Sequence, residues 1–487
     1  MAVISGCQQV MALVVQIVLA RLLIPHDYGV AALVMTIDSF AVVFSTAGIG
    51  TALVQRKDLS LATVDAAAVI TGGMAVALGG ILFFASDDIS LYYALPEMSF
   101  LLKIAAIDIL LKVMCSLYDS LLLRELRYKV LSLRTFISLI VQSVVSIILA
   151  THGFGAKSLV ISYVTGSVTQ LILCISATRY IPRTFGDYKA VKGIFKFGSW
   201  ILLGRLANQA AHVLDQMIVA KFLNASALGL VNVSKRVTSI FPLTFLGFVG
   251  RVTLPVFSKW QDDLERIEKA YWMGLRINMM IVFPLCLLTG LFSYQILMLL
   301  YGTKWLAGEY VMKVLSFHVA LTSIDTGYCN SVLYATGNPR YSTIVTLISL
   351  FLIPSLIYIG SFWGVIGIAW GMVSYIGAFI VINHLVLKYL CRFRISKLPL
   401  LILRSVVFLV PMFVAGYSLI ALHVAPRYEI VPKVLSPEWF FLAIRMVGCA
   451  IVCMIVYIVT IYFMSKSEFM FLLNGILNTV RIRKFRK

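Results

Sequence analysis

The sequence predicts an all-α integral membrane protein. Of its 487 residues, 61% are hydrophobic and only 13% are charged, whereas about a quarter of the residues of a soluble protein are charged. Apolar stretches of about 20 residues, the length that crosses a bilayer, recur along the whole chain. Such stretches must be helical in lipid, because they are too long for the strands of a closed barrel.

We expect about fourteen transmembrane helices, and turn-forming residues separate many of them. Pro25 and Asp27 interrupt the first apolar run, and Gly337-Asn338-Pro339 interrupts a later one. The expected helices span residues 2–24, 28–54, 63–85, 98–121, 130–151, 157–178, 196–222, 226–250, 273–300, 308–335, 341–360, 363–388, 400–423 and 440–464.

The 41 basic residues give a formal net charge of +20, and their distribution orients the chain. We count 28 of them in one set of alternate loops, helix ends and the C-terminal tail, and nine on the other side. Since basic loops stay in the cytoplasm, both termini are expected there. This distribution explains the charge without nucleic acid, which we do not expect as a partner. The basic amphipathic tail should lie on the anionic membrane surface.

The chain resembles itself in its two halves. Gly29 aligns with Gly229, and Gly50 aligns with Gly250. Six helices in each half make two parallel lobes related by a pseudo-two-fold axis along the membrane normal, and a binding site is expected between the lobes. The expected parts are an N-lobe, a cytoplasmic linker, a C-lobe, two extra helices and a cytoplasmic tail, at residues 1–180, 181–195, 196–390, 391–464 and 465–487.

Predicted helix 7 carries a row of polar side chains that cannot face lipid. Their spacing places them on one face of the helix. Predicted helix 1 carries Gln8, Gln9 and Gln16 at matching positions. Two interpretations stay open, namely a shared water-filled cavity and a seam of hydrogen bonds between helices. The polar residues of helix 7 are Arg205, Asn208, Gln209, His212, Asp215 and Gln216.

Basic residues inside the predicted spans give helices 7 and 8 a cationic character. These residues are Arg205, Lys235 and Arg236. An Arg fork matches phosphate oxygens and Lys supplies a point charge, so a diphosphate head group would suit them. The alternative is that Asp215 neutralises this charge. His212, three residues before Asp215, could bind and release a proton during turnover.

Other ionisable residues at membrane depth have simpler interpretations. Asp108 and Lys112 are i, i+4 neighbours that can form a local ion pair. His318 and His384 are expected to be packing residues, and Asp119 is expected to be solvated at a helix end. With Asp38 added, the candidate substrate-binding residues are Arg205, Asn208, Gln209, His212, Asp215, Lys235, Arg236, Gln8, Gln9 and Asp38.

Catalytic and metal-binding sequence patterns are absent. The sequence has no G-x-x-x-x-G-K-[ST], H-E-x-x-H or G-x-S-x-G motif, and its eight cysteines include no C-x-x-C pair. We therefore expect no enzyme activity, no cofactor and no metal. Transport would then be driven by a gradient or by the substrate.

Several stretches of the sequence, taken together, match a known family. They are Leu19-Ala20-Arg21-Leu22-Leu23-Ile24-Pro25, Gly48-Ile49-Gly50-Thr51-Ala52-Leu53-Val54-Gln55, Asp215-Gln216 and Leu254-Pro255-Val256-Phe257. Over about residues 1–390 the chain resembles the Wzx-type polysaccharide and O-antigen flippases of the MOP (multidrug/oligosaccharidyl-lipid/polysaccharide) exporter superfamily. The likeness is to the branch of colanic-acid exporters in lipopolysaccharide biosynthesis.

The resemblance implies twelve core helices in two lobes that work by alternating access. It implies an undecaprenyl-diphosphate-linked oligosaccharide repeat unit as cargo, moved from the cytoplasmic to the periplasmic leaflet of the bacterial inner membrane. Membrane lipids, a coupling ion (H⁺ or Na⁺), a polysaccharide polymerase and a chain-length regulator are further expected partners. The chain departs from the family pattern at Thr46, where an acidic residue is expected.

Two rival functions stay open at this point. A MATE-like cation or drug antiporter would share the fold but should have a cavity dominated by carboxylates, whereas helices 7 and 8 carry more Arg and Lys than Asp. A membrane-embedded polysaccharide polymerase would need a substantial periplasmic loop. The longest expected outer loop, residues 424–439, is short.

Overall fold

In the computed structural model, every element of regular secondary structure within the described residues is a helix. Within the described residues, nine helices are long and apolar enough to cross a membrane. The prediction of an all-α membrane protein with many spans is therefore confirmed, while the count of fourteen stays a prediction. The structure describes residues 2–46, 53, 60–180, 188–325, 327–422 and 437–464.

The first eight helices follow predicted helices 1–8 in order, with shifted ends. Predicted helix 2 was expected to reach residue 54, but the described helix ends at Thr46 and residues 47–52 lie outside the described part. The helices are α1 (Ala2–Leu22), α2 (Pro25–Thr46), α3 (Leu61–Tyr93), α4 (Pro96–Arg124), α5 (Tyr128–Thr151), α6 (Ala156–Thr178), α7 (Tyr188–Phe222) and α8 (Ala225–Ser258).

Two predicted helices of the second half are each divided into two. Predicted helix 9 breaks at Phe292, and predicted helix 10 breaks at Gly327, whose φ of +71° does not continue a right-handed helix. The helices are α9 (Leu264–Leu291), α10 (Ser293–Leu300), α11 (Glu309–Asp325), α12 (Tyr328–Ala335), α13 (Pro339–Ser361), α14 (Gly364–Cys391), α15 (Lys397–Ala421) and α16 (Pro437–Met464). A 3₁₀ helix, Thr303–Gly308, precedes α11.

Cα proximity divides the chain into two compact units. Unit 1 comprises Met1–Asn232 and Thr346–Val365, and unit 2 comprises Val233–Val345 and Ile366–Lys487. In unit 1, α3 packs along α4, α5 packs along α6, and both α2 and α6 pack on α4. In unit 2, α9 packs on α11, and α15 packs on α16 and α9. Unit 1 also contains α7, which the sequence analysis assigned to the second lobe. The units therefore do not test the division into six-helix lobes, which stays a prediction.

Local sequence explains where α3 begins and how closely it packs on α4. The Ser60 hydroxyl accepts a hydrogen bond from the Thr63 backbone amide at 3.2 Å and caps α3. Such a cap satisfies one of the free amides of a first turn. A Cβ on Gly79 of α3 would lie 2.8 Å from the carbonyl oxygen of Ala106 on α4. Small residues allow this approach between membrane helices.

The last helix is held on unit 2 by two hydrogen bonds to backbone carbonyls. The Tyr457 hydroxyl donates to the Met280 carbonyl of α9 at 2.9 Å, and the Trp439 indole donates to the Leu299 carbonyl of α10 at 3.0 Å. Met412 of α15 is fully buried in the cluster that these helices share. The two extra helices of the sequence prediction are therefore integral parts of unit 2.

The repeat partners Gly29 and Gly229 lie at a close approach of two helices within unit 1. A Cβ on Gly29 would lie 1.7 Å from the Ala225 carbonyl oxygen, and one on Gly229 would lie 1.9 Å from the Pro25 carbonyl oxygen. The first turns of α2 and α8 therefore touch backbone to backbone. Only glycine fits at either position without moving the chain.

We expect Gly29→Ala and Gly229→Ala each to destabilise the protein by at least about 1–3 kcal/mol, the usual cost of overpacking. Gly80→Ala in α3 is the matched control, because a Cβ there meets nothing within 4 Å. It should be neutral or slightly stabilising, since Ala favours helix. The midpoint of thermal unfolding in detergent measures all three, and equal midpoints would contradict the close approach.

Candidate substrate-binding site

Part of the polar face of α7 forms hydrogen bonds to neighbouring helices of unit 1. The Gln209 amide donates to the Ser39 hydroxyl of α2 at 2.9 Å. The Gln216 side chain accepts from the Asn232 amide of α8 at 3.1 Å. Gln209 and Gln216 therefore form hydrogen bonds between helices, which is one of the two interpretations that the sequence left open.

Two other members of the α7 face are exposed. Asn208 lies on the protein surface, and the His212 side chain is 55% exposed, with its Nδ1 4.0 Å from the carboxylate of the buried Asp215. The side chain of Arg205 lies outside the described part of the structure. Asn208 and His212 are therefore the described members of this face that a ligand can reach.

The matching glutamines of α1 also differ from one another in exposure and in hydrogen bonding. The Gln8 amide donates to the Ser132 carbonyl of α5 at 3.1 Å, whereas Gln9 is exposed. Gln16 is buried, and its side-chain oxygen has no hydrogen-bond partner among the residues that the structure describes. Gln8 thus fixes α1 to α5, and Gln9 stays accessible.

In unit 2, α8 presents two adjacent cations. Lys235 is half-buried and Arg236 is exposed. Lys235 lies within electrostatic range of His318 of α11, and Arg236 lies within electrostatic range of Tyr301. Arg236 could form the two parallel hydrogen bonds that an Arg fork makes with phosphate oxygens.

Three charged residues form a buried cluster in unit 1. Lys112 of α4 lies 2.8 Å from Asp108, which confirms the predicted i, i+4 ion pair, and it also binds Asp38 of α2. Both carboxylate side chains are fully buried. The sequence analysis placed Asp38 among the cavity residues without its partner. Opposite charges at membrane depth on two spans are the signal that could have suggested the pairing.

A second ion pair involves Asp119, which was expected to be solvated at a helix end. The Asp119 side chain is 32% exposed and forms an ion pair with Arg134 of α5, and Arg134 also donates to the Cys174 sulfur of α6 at 2.9 Å. The Arg134 side chain is only 8% exposed. A buried guanidinium needs a carboxylate partner, and Asp119 supplies it.

His318 and His384, the histidines of unit 2 within the described residues, behave differently. His384 is buried, with its Nε2 3.0 Å from the Tyr271 hydroxyl and its Nδ1 2.8 Å from the Ile380 carbonyl, so its predicted packing role is confirmed. The Nδ1 of His318 has no hydrogen-bond partner in the described ranges.

A tyrosine–carboxylate contact that the sequence analysis missed lies at the end of α6. The Tyr180 hydroxyl donates to Asp65 of α3. Burial and the neighbouring Asp65 carboxylate both raise the pKa of Tyr180, because each disfavours the phenolate. Tyr180 therefore stays a hydrogen-bond donor at all physiological pH values.

The cysteines and the usual metal-binding side chains form no disulfide or metal site among the described residues. The eight cysteines are free thiols, and all except Cys7 are buried. The described residues contain no group of three His, Cys, Asp or Glu side chains that could hold a metal ion.

Many apolar helices joined by buried ion pairs define a polytopic membrane protein. The chain belongs to the family described as polysaccharide biosynthesis proteins, whose family model matches residues 18–309. The resemblance to the Wzx-type flippases is thereby confirmed.

Two curated relatives carry names that agree with this family. The succinoglycan biosynthesis transport protein ExoT of Rhizobium meliloti (strain 1021) is 24% identical over 66% of this chain. That match spans 64% of the relative, which is just under two thirds of its length. The lipopolysaccharide biosynthesis protein WzxC of Escherichia coli (strain K12) is 24% identical over 74% of each chain.

Solved structures share the fold over most of the chain. Lipid II flippase MurJ in an inward closed conformation has a TM-score of 0.70 at 15% identity, covering 96% of this chain and 98% of its own. An inward-facing multidrug resistance MATE family transporter of the MOP superfamily has a TM-score of 0.64 at 17% identity, covering 80% and 95%. At these identities the likeness establishes the fold alone, and a flippase and a drug transporter share it.

We expect Lys112→Met to destabilise the protein by about 3–5 kcal/mol, because it leaves two buried carboxylates without their cation. The triple variant Asp38→Asn, Lys112→Met, Asp108→Asn removes all three charges of the cluster. It should recover most of the stability that Lys112→Met loses. The midpoint of unfolding in detergent measures both variants.

Lys103→Met is the matched control for this cycle. Lys103 pairs with Asp87, whose side chain is 70% exposed, and exposed pairs contribute at most about 1 kcal/mol. A triple variant no more stable than Lys112→Met, or a Lys112→Met variant as stable as the control, would contradict the buried cluster.

Proposed function

We propose that this chain is a flippase for a lipid-linked oligosaccharide. It moves an undecaprenyl-diphosphate-linked repeat unit from the cytoplasmic to the periplasmic leaflet of the bacterial inner membrane by alternating access, for export of a surface polysaccharide. The observation that carries the proposal is that a chain of many apolar helices belongs to the polysaccharide biosynthesis family. The fold is compatible with a lipid-linked cargo, since a lipid II flippase shares it over 96% of this chain.

Basic side chains bind the diphosphate in this proposal. Lys235 and Arg236 are adjacent on α8, and Arg205 adds a third cation by its sequence. A diphosphate accepts charge-assisted hydrogen bonds from Lys and Arg, and these are stronger where water is excluded. In this proposal the exposed side chains of Asn208 and His212 bind sugar hydroxyls.

The remaining candidate residues have supporting roles in the proposal. Gln8 and Gln209 hold helices together through the hydrogen bonds described above, and Gln9 is accessible to the cargo. Asp38 stabilises α2 against α4 through Lys112. Asp215 lies beside His212, with 4.0 Å between its carboxylate and the imidazole Nδ1.

The proposed topology has fourteen spans, with two parallel six-helix lobes, two extra helices and both termini in the cytoplasm. The excess of basic residues on one set of loops supports this orientation. A gradient of H⁺ or Na⁺ drives the cycle, and a polysaccharide polymerase and a chain-length regulator act on the delivered repeat unit. The chain forms and breaks no covalent bond, so it is not an enzyme.

Purified protein in proteoliposomes tests the proposal directly. The vesicles contain a diphosphate-linked, fluorescent oligosaccharide lipid, and the measurement is the rate at which its head group becomes accessible to an external reagent. We expect the chain to accelerate this rate over protein-free vesicles. Lys235→Ala with Arg236→Ala should reduce the acceleration at least about tenfold, since one charge-assisted hydrogen bond contributes about 1.5–3 kcal/mol.

Lys269→Ala is the control, because Lys269 is 74% exposed and pairs with Glu265 at the surface. It should leave the rate unchanged. No acceleration by the unmodified chain would refute the flippase, and uptake of a cationic dye in its place would favour the antiporter. Equal rates for the double variant and the control would remove Lys235 and Arg236 from the binding site.

A further inference from the structure

An open groove runs along an exposed face of α3 in unit 1. Its volume is about 590 Å³. The residues that line it recur every three or four positions along the helix, so they share one face. We call it the α3 groove, and its lining includes Val76, Ala77, Gly80, Ile81, Phe84 and Asp88.

Small residues form the floor of the α3 groove, and exposed apolar side chains form its walls. A Cβ on Gly80 would meet nothing within 4 Å, so the space above this position is open. Ile81 and Phe84 lie beside it, and Phe84 is 82% exposed. On a helix that crosses a membrane, apolar surface of this kind contacts lipid chains.

The α3 groove has about the length of one leaflet. Val76 and Asp88 are 12 positions apart on one helix, which corresponds to about 18 Å at 1.5 Å per residue. Half of the hydrocarbon core of a bilayer is about 15 Å thick. An acyl chain lying in the groove would therefore extend from the head-group region to about the middle of the membrane.

The end of α3 nearest Asp88 lies at the depth of the lipid head groups. Helix α3 has 33 residues and is about 50 Å long, which exceeds even the 40–45 Å of a bilayer with its head groups. Tyr92 and Tyr93 in its last turn pack edge to face, with 5.0 Å between their ring centroids. Tyrosines are enriched at the membrane–water interface, and Asp88 lies one turn before Tyr92.

Asp88 carries a charge that the described chain does not pair. It is exposed, and no ion pair among the described residues includes it. The adjacent Asp87 has Lys103 as its partner, at 3.1 Å. A head group that carries an ammonium ion would complement the Asp88 carboxylate, whereas it would repel an anionic head group.

The width of the α3 groove favours a hydrocarbon chain over a helix. Spread over about 18 Å of helix, 590 Å³ correspond to a mean cross-section of about 33 Å². A helix about 10 Å across has a cross-section of about 80 Å², whereas a single chain of carbons that pack about 4 Å apart fits. A second copy related by a two-fold axis would also bring its own Asp88 to the same depth, and like charges repel.

We propose that the α3 groove binds one phospholipid whose head group carries an ammonium ion. The Asp88 carboxylate pairs with the ammonium ion, and an acyl chain lies over Ala77 and Gly80. This site goes beyond the proposed function, in which Lys235 and Arg236 bind an anionic cargo. A lipid bound in the groove is a resident ligand and does not require that any cargo be moved.

Native mass spectrometry of the purified full chain tests the head-group preference. The chain is offered equal amounts of phosphatidylethanolamine and phosphatidylglycerol with identical acyl chains. We expect about two- to fivefold more phosphatidylethanolamine bound, the effect of one exposed ion pair. Asp88→Asn should remove this preference and Asp88→Lys should reverse it. Asp87→Asn is the control and should keep the preference, because Asp87 pairs with Lys103.

Filling the groove tests where the acyl chain lies. Gly80→Phe places a ring in the open space above the floor and should lower the amount of bound phosphatidylethanolamine at least about twofold. Val144→Phe is the matched control, because it adds a ring at an exposed position of α5, and it should leave binding unchanged. The midpoint of thermal unfolding shows that both variants are folded, and the Asp88 variants decide the question if Gly80→Phe is not.

Three results would overturn the proposal. One is equal binding of the two phospholipids by the unmodified chain, and another is a preference that Asp88→Asn retains. The third is a dimer that Gly80→Phe dissociates while lipid binding stays unchanged, because that result assigns the groove to a second copy of the chain.

Discussion

A charge inside a bundle of apolar helices must be compensated, and this constraint governs the described chain. Lys112 compensates Asp38 and Asp108, and Asp119 compensates Arg134. The first cluster joins α2 to α4, and the second pair joins α4 to α5. Removing one partner would expose the full desolvation cost of the other.

The helical fold could be predicted from the sequence because it depends on composition and on the length of apolar runs. The breaks at Phe292 and Gly327 were not predicted. For the second break the sequence did contain a signal, because Asp325 and Gly327 interrupt the apolar run with residues typical of turns. The repeat spacing identified Gly29 and Gly229 as equivalent. It could not show that their helices touch, because packing distance is a tertiary property.

The candidate site was predictable in its residue types but not in its pairings. The spacing along α7 placed Gln209 and His212 on one face, but the hydrogen bond from Gln209 to Ser39 joins residues 170 positions apart. Asn278 and Asn383 gave no signal, since a lone amide in a span reads as a packing residue. Only the structure shows that the Asn383 amide donates to Asp325 and the Asn278 amide donates to the Ser323 carbonyl.

Competitive lipid binding tests most directly whether basic residues within the spans recognise a diphosphate. Native mass spectrometry of the purified chain, offered equal amounts of undecaprenyl diphosphate and undecaprenol, measures the preference for the charged head group. The account predicts that the diphosphate lipid binds preferentially, and that Lys235→Ala with Arg236→Ala abolishes the preference. Equal binding of the two lipids by the unmodified chain would contradict it.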